Sequence, residues 1–354
     1  MTQAVTLAQV GNSNGTFRNK IINGAMVIDQ RNAGASVTPA DGNYHIDRYK
    51  AWLSASGKIS VQQSTSAPDG FSNSMLVTSL TAFSVGSSDE IGITHAIEGY
   101  NITDLAWGTA SAKTVTLSFW VRSSLTGTFG GIVANNTGAR TYPYSYTINS
   151  ANTWEYKTIV IPGCADGTWL GGNGWGVTVH FQFGAGSTRQ GTGGTWGSNT
   201  SVRMPTGCVN LTATNGATFY ITGVQLEVGT VATSFELRSY SKELMMCQRY
   251  CNVITFQGYE TLIGVGFNLA NNRILMDYPL CVQMRTQPSA TLSGSASNIQ
   301  NIGTGSWYGA SSVSFAPNPY ACRFDINYAA GYFTQNGSAE TRIAGGSVII
   351  SAEL

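Results

Sequence analysis

The sequence predicts an all-β protein: an antiparallel β-sandwich of jelly-roll type, a short linking helix and a smaller C-terminal β domain. Three observations carry this expectation. Apolar and polar residues alternate with period two in many short segments, glycine supplies 42 of 354 residues, and charged residues make up only 10%. Alternation buries one face of a sheet and wets the other. Gly, Asn, Asp, Pro and Ser between the segments supply turns. No amphipathic helices intervene, which favours antiparallel pairing. An aromatic fraction of 11% excludes a disordered chain.

Residues 1–20 are polar and rich in Gly and Asn, as an attachment arm would be. A strand-like stretch follows over 21–30. Alternation then recurs at Ile59–Gln63, Val115–Arg122, Tyr156–Ile161, Val177–Phe183 and Phe219–Glu227, so that 21–238 reads as the sandwich. Residues 239–251 form the clearest helix, with Ser239 or Ser241 as cap and Leu244, Cys247 and Cys251 on one stripe. At about three turns it needs something to pack on, and 239–252 is assigned as a linker. The β pattern resumes over 253–354, for example at Arg273–Tyr278 and Arg323–Tyr328.

With 19 basic and 18 acidic residues the net charge is +1. No positive field gathers phosphates, which argues against nucleic acid as a partner. A surface so poor in charge favours burial between copies, hence a homo-oligomer. The first fifteen residues carry neither a basic residue nor a long apolar core, unlike an export signal. No run approaches the roughly 20 apolar residues of a membrane-spanning helix. Assembly in the cytoplasm without membrane insertion is the expectation.

The search for chemistry yields few candidates. His45, His95 and His180 have no metal-ligand spacing, and His180 should face outward from its strand. Catalytic serine, phosphate-binding and dinucleotide-binding motifs are missing. Asp89 and Glu90 are adjacent and would point to opposite faces of a strand, a poor acid pair. Cys247 and Cys251 are either half of a metal site or two small core residues, and the lack of a Cys–His partner motif favours the core. Asp29 and Glu227 could supply hard oxygen ligands to a structural Ca²⁺, or make ordinary surface contacts. Trp169, Trp175 and Trp196 stand among glycines and could stack on sugar rings. Tyr142, Tyr144 and Tyr146 would share one side of a strand and could do the same. The alternative, a core or a subunit interface, is the stronger reading for both clusters, because β cores are rich in aromatics.

Several segments resemble a family of phage virion structural proteins. They are Arg18–Met26 with Asp29–Gly34, His45–Tyr49, Val115–Val121, Ile221–Gly229 with Ala232–Glu236, and Glu243–Leu244 with Cys247–Tyr250. The departures are Tyr49, where Trp is common, and Ser234, where Pro is common. The resemblance spans 18–250. It implies a jelly roll akin to carbohydrate-binding modules, followed by a variable and often trimeric β tip, in a fibre or receptor-binding component of the virion. It carries no catalytic motif. On that reading the arm joins other virion proteins, a distal face touches host surface polysaccharide, and Leu244, Cys247 and Tyr250 lie near a threefold axis. A capsid decoration or tail-collar component and a tailspike-type depolymerase are the rival roles.

Overall fold

A computed structural model describes residues 17–255, 262–270, 272–302, 306–329, 338–343 and 346–354. Residues 1–16 of the expected arm lie outside the described residues. The chain divides into two compact units, one running to Tyr240 and taking in Leu354, the other Ser241–Glu353.

The first unit is a sandwich of two five-stranded sheets. Its strands are β1 (Tyr49–Leu53), β2 (Ile59–Ser64), β3 (Ser74–Ser79), β4 (Glu90–Glu98), β5 (Val115–Ser123), β6 (Gly127–Asn135), β7 (Thr141–Ile148), β8 (Glu155–Ile161) and β9 (Trp175–Ala185), then the two-residue β10 (Gln190–Gly191) and β11 (Met204–Pro205), and β12 (Thr218–Val228). The first sheet has the order β1-β4-β9-β6-β7, the second β2-β3-β12-β5-β8. Every pairing within them is antiparallel. The chain crosses repeatedly between the sheets, as a jelly roll requires. Strand alternation builds the core: Leu117, Phe119 and Val121 from β5 meet Val179, Phe181 and Phe183 from β9. β4 is buried on both faces, so the outer face of the first sheet is itself covered in part. The ribbon β10–β11 packs there.

The stretch 21–30 is not a strand. Asn23 and Met26 adopt left-handed backbone (φ 60° and 56°), and the segment is a loop clasped to β12. Asn19 Nδ2 donates to the Val224 carbonyl (3.0 Å), and its Oδ1 accepts from Leu226 N–H (3.0 Å). Lys20 N–H donates to the Leu226 carbonyl (2.9 Å), and Val224 N–H to the Gly24 carbonyl (2.9 Å). A Cβ at Gly24 would lie 2.2 Å from the Val224 oxygen, so only glycine permits this approach. Arg238 closes the clasp by donating to the Ile21 carbonyl (3.1 Å). The segment 29–47 is tied the same way: buried Asp47 accepts from Gln30 N–H (2.6 Å), Gln30 Nε2 (3.1 Å) and Arg31 Nη1 (3.4 Å). The motifs that carry the family resemblance are therefore fasteners of the fold.

In the second unit, α1 (Tyr240–Gln248) precedes β13 (Cys251–Thr255), β14 (Leu262–Ala270), β15 (Arg273–Pro279), β16 (Ser289–Ser293), β17 (Ile299–Ile302), β18 (Trp307–Gly309), β19 (Ser312–Pro317), β20 (Ala321–Asn327), β21 (Ser338–Ile343) and β22 (Ser347–Ser351). They form a three-stranded sheet, β13-β22-β16, and a seven-stranded one, β18-β17-β21-β14-β15-β20-β19. Ile274, Met276, Phe324, Ile326, Val348 and Ile350 fill the core. The helix is shorter than the sequence predicts, because Cys251 already pairs with Ser351 as a strand residue.

Candidate functional site

The outer face of the first sheet gathers the groups most suited to binding. In β1, Tyr49, Ala51 and Leu53 face the core, which turns Lys50 and Trp52 outward. Register sets Lys50, Thr94, His180, Ile132 and Pro143 in one row across the sheet, and Trp52, Gly92, Gln182, Gly130 and Ser145 in the next. Trp175 begins β9 at the same end as Lys50. Its indole N–H donates to Thr178 Oγ1 (2.9 Å), which fixes the ring. Lys50 Nζ lies 4.9 Å from the Trp175 ring centroid and 5.8 Å from that of Trp52. Trp52, Trp175 and Lys50 are all half-buried.

The floor is polar. His180 sits edge-on to Trp52, with ring centroids 5.7 Å apart. Burial, together with the Arg203 and Lys50 charges, pushes its imidazole down to about 3, so it is neutral. His180 Nδ1 and Gln182 Oε1 are buried and have no hydrogen-bond partner in the protein. Gln182 lies across Gly92, where a Cβ would stand 2.3 Å from its Oε1. Arg203, next to β11, pairs with Glu90 Oε2 (2.5 Å) and lies 5.7 Å from the Trp52 centroid. Arg189 approaches Glu90 Oε1 at 3.7 Å. Lys50 Nζ also donates to the Leu354 carbonyl (3.1 Å).

The predicted tryptophan cluster divides. Trp169 and Trp196 pack edge-to-face with Trp107 and with each other, at centroid distances of 4.7, 5.3 and 5.6 Å. Their indole N–H groups are spent on the Asp166 carbonyl (3.0 Å) and the Pro162 carbonyl (2.7 Å). Both rings are half-buried against the core. Trp175 alone stands on the outer face beside Lys50.

The other residues named from the sequence are placed as follows. Tyr142, Tyr144 and Tyr146 do share one side of β7, but it is the inner side. They are 6%, 1% and 7% exposed, and the Tyr144 hydroxyl donates to the His180 carbonyl (2.6 Å). Such rings offer no face to a sugar. Asp29 accepts from Asn32 and Gly34 N–H (3.1 and 2.8 Å), while Glu227 accepts from Gln225, Thr233 N–H and the Thr233 hydroxyl (2.8, 2.8 and 2.7 Å), so both carboxylates considered for calcium are engaged in local hydrogen bonds. Among the described residues no group of three or more His, Cys, Asp or Glu could hold a metal ion. Cys247 and Tyr250 are buried within the chain and Leu244 is half-buried, so the first two present no surface to another copy. His180 points to the outer face, as alternation requires, yet is only 5% exposed because that face is partly covered.

Among the described residues no disulfide joins any of the six cysteines, and Cys247 and Cys251 are both buried. Asp89 caps a turn through Gly86 N–H (2.7 Å), whereas Glu90 belongs to the outer face. Sequence reasoning missed Lys50, Trp52, Gln182 and Arg203. The available signal was an outward tryptophan in the alternating run Tyr49–Leu53.

No protein-family model matches this chain, and no curated protein does. Among solved structures it is similar to the enzymatically active domain of bacteriophage CBA120 tailspike protein 4, at 14% identity and a TM-score of 0.34, over 60% of this chain and 21% of that one. It is also similar to the C-terminal family 22 carbohydrate-binding module of Clostridium thermocellum Xyn10B (18% identity, TM-score 0.30, 55% of this chain, 99% of that one). A third is a putative sugar binding protein from Bacteroides thetaiotaomicron (11% identity, TM-score 0.34, 60% of this chain, all of that one). The match spans about a fifth of the tailspike chain.

Proposed function

We propose that this chain is a glycan-binding structural protein of a bacteriophage particle, a fibre or receptor-binding component that contacts host surface polysaccharide without cleaving it. The observation that carries the reading is the outer face of the first sheet: Trp52 and Trp175, held beside Lys50 over a polar floor of His180 and Gln182. Partly exposed indole rings stack on the apolar faces of sugars, and neighbouring polar groups take their hydroxyls. The virion assignment rests on the resemblance over residues 18–250.

The placement of two carboxylates supports binding without hydrolysis. Glu90 and Glu98 both lie on the outer side of β4, at opposite ends of the strand. That is roughly 27 Å at the rise of an extended chain, far beyond the ~5–9.5 Å that separates a glycosidase acid pair. The low charge of the chain further supports assembly as a homo-oligomer.

The test is a cell-adsorption and glycan-binding assay of Trp52→Ala with Trp175→Ala. Loss of both signals in a folded double variant supports the reading. Undiminished adsorption, or release of reducing ends from bound polysaccharide, refutes it.

A further inference from the structure

We propose that the outer face of the first sheet selects an uncharged saccharide unit by its hydroxyl groups, and that Gln182 and His180 are the residues that read them. This rests on the glycan-binding reading above and goes beyond it in naming the ligand class.

Two side chains, both more than nine-tenths buried, turn unmet polar atoms to this face. Gln182 is 1% exposed, and its Nε2 donates to the Gly184 carbonyl (3.3 Å), which leaves Oε1 as the free end. An amide oxygen only accepts, so its partner must donate. His180 Nδ1 lies on the same strand two residues away, on the same face, and is also unmet. A neutral imidazole nitrogen accepts or donates according to tautomer. A hydroxyl does both, and therefore satisfies either state of His180 as well as Gln182. An ionised carboxylate or phosphate only accepts and would leave Gln182 Oε1 unpaired.

The cations on this face do not reverse that preference. Arg203 and Arg189 are both turned to Glu90, and Lys50 is layered on Trp175 while donating to a backbone carbonyl. An acidic sugar would have to displace Glu90 to gain a partner. A neutral one needs only the ring of Trp52, over which the Arg203 guanidinium now lies at 5.7 Å. A sugar that stacks on Trp52 replaces that guanidinium and meets Gln182 and His180 beneath.

The experiment is a glycan array of neutral glucans, galactans and mannans beside polyuronates and sialylated glycans, followed by titration calorimetry of the strongest binder. The wild type is expected to bind neutral glycans. Gln182→Leu and His180→Phe should each weaken that binding by roughly tenfold with an unchanged unfolding temperature. Acidic glycans as the sole binders, or wild-type affinity in folded Gln182→Leu, would overturn this inference and leave the glycan reading standing. Binding to neither class would overturn both.

Discussion

Leu226 N–H donates to Asn19 Oδ1 at 3.0 Å across 207 residues of sequence, and the same Asn19 side chain donates to the Val224 carbonyl. One amide thus ties the beginning of the sandwich to its last strand. Asn19→Ala would strand buried backbone groups on both partners, at about 1–3 kcal/mol each. The expected outcome in chemical denaturation is a loss of roughly 3 kcal/mol with an unchanged denaturant slope.

Gly24→Ala tests the same clasp from the other side. Its new methyl would meet the Val224 carbonyl at 2.2 Å, and backbone cannot step aside as a flexible side chain does. A destabilisation of about 3 kcal/mol, read from the thermal midpoint, is expected. A midpoint equal to the wild type would show that the loop can detach from β12 without penalty.

Trp169→Ala and Trp196→Ala should act on stability rather than on ligand, since both rings pack on Trp107 and the core. Each should cost about 2–3 kcal/mol, less than the ~3–5 of a fully buried ring. Trp175→Ala should leave stability nearly unchanged and reduce glycan binding. Parallel unfolding and adsorption measurements on the three variants separate the two roles.

His45, His95 and His180 are all held neutral, burial pushing each imidazole down to about 3. In the unfolded chain they titrate near 6.5. Between those values the unfolded state binds the extra protons, so stability is complete above about pH 6.5 and falls as pH drops towards 3. The slope approaches ~1.4 kcal/mol per pH unit for each histidine. His95→Phe, at a site packed on Tyr49, should flatten the pH dependence by about a third, as denaturation at pH 5 and pH 8 would reveal.

The strands were legible because period-two alternation is a local property. Leu117, Phe119 and Val121 face inward as their spacing requires. Which side of β7 carries Tyr142, Tyr144 and Tyr146 was not legible. Spacing places the three rings together, while their direction depends on β6, the neighbour that pairs with β7. The binding face escaped notice for the same reason. Trp52 and Gln182 are 130 positions apart in sequence and become row-mates only once β4 is inserted between β1 and β9. Trp169, Trp175 and Trp196 looked like one cluster because proximity in sequence was the only proximity available. Strand β9 sets Trp175 on the outer face, while loops leave the other two edge-to-face with Trp107.

The clasp has a mechanical corollary. Arg18 and Arg238 both sit on it, the first donating to the Ser234 carbonyl at 2.6 Å and the second to the Ile21 carbonyl at 3.1 Å. A pull that drew residue 18 away from residue 238 would strain these bonds and the Asn19–β12 bonds together, so the load would be shared instead of unzipping them one by one. A sandwich fastened in this way is suited to transmitting tension along a chain while its sheets stay closed.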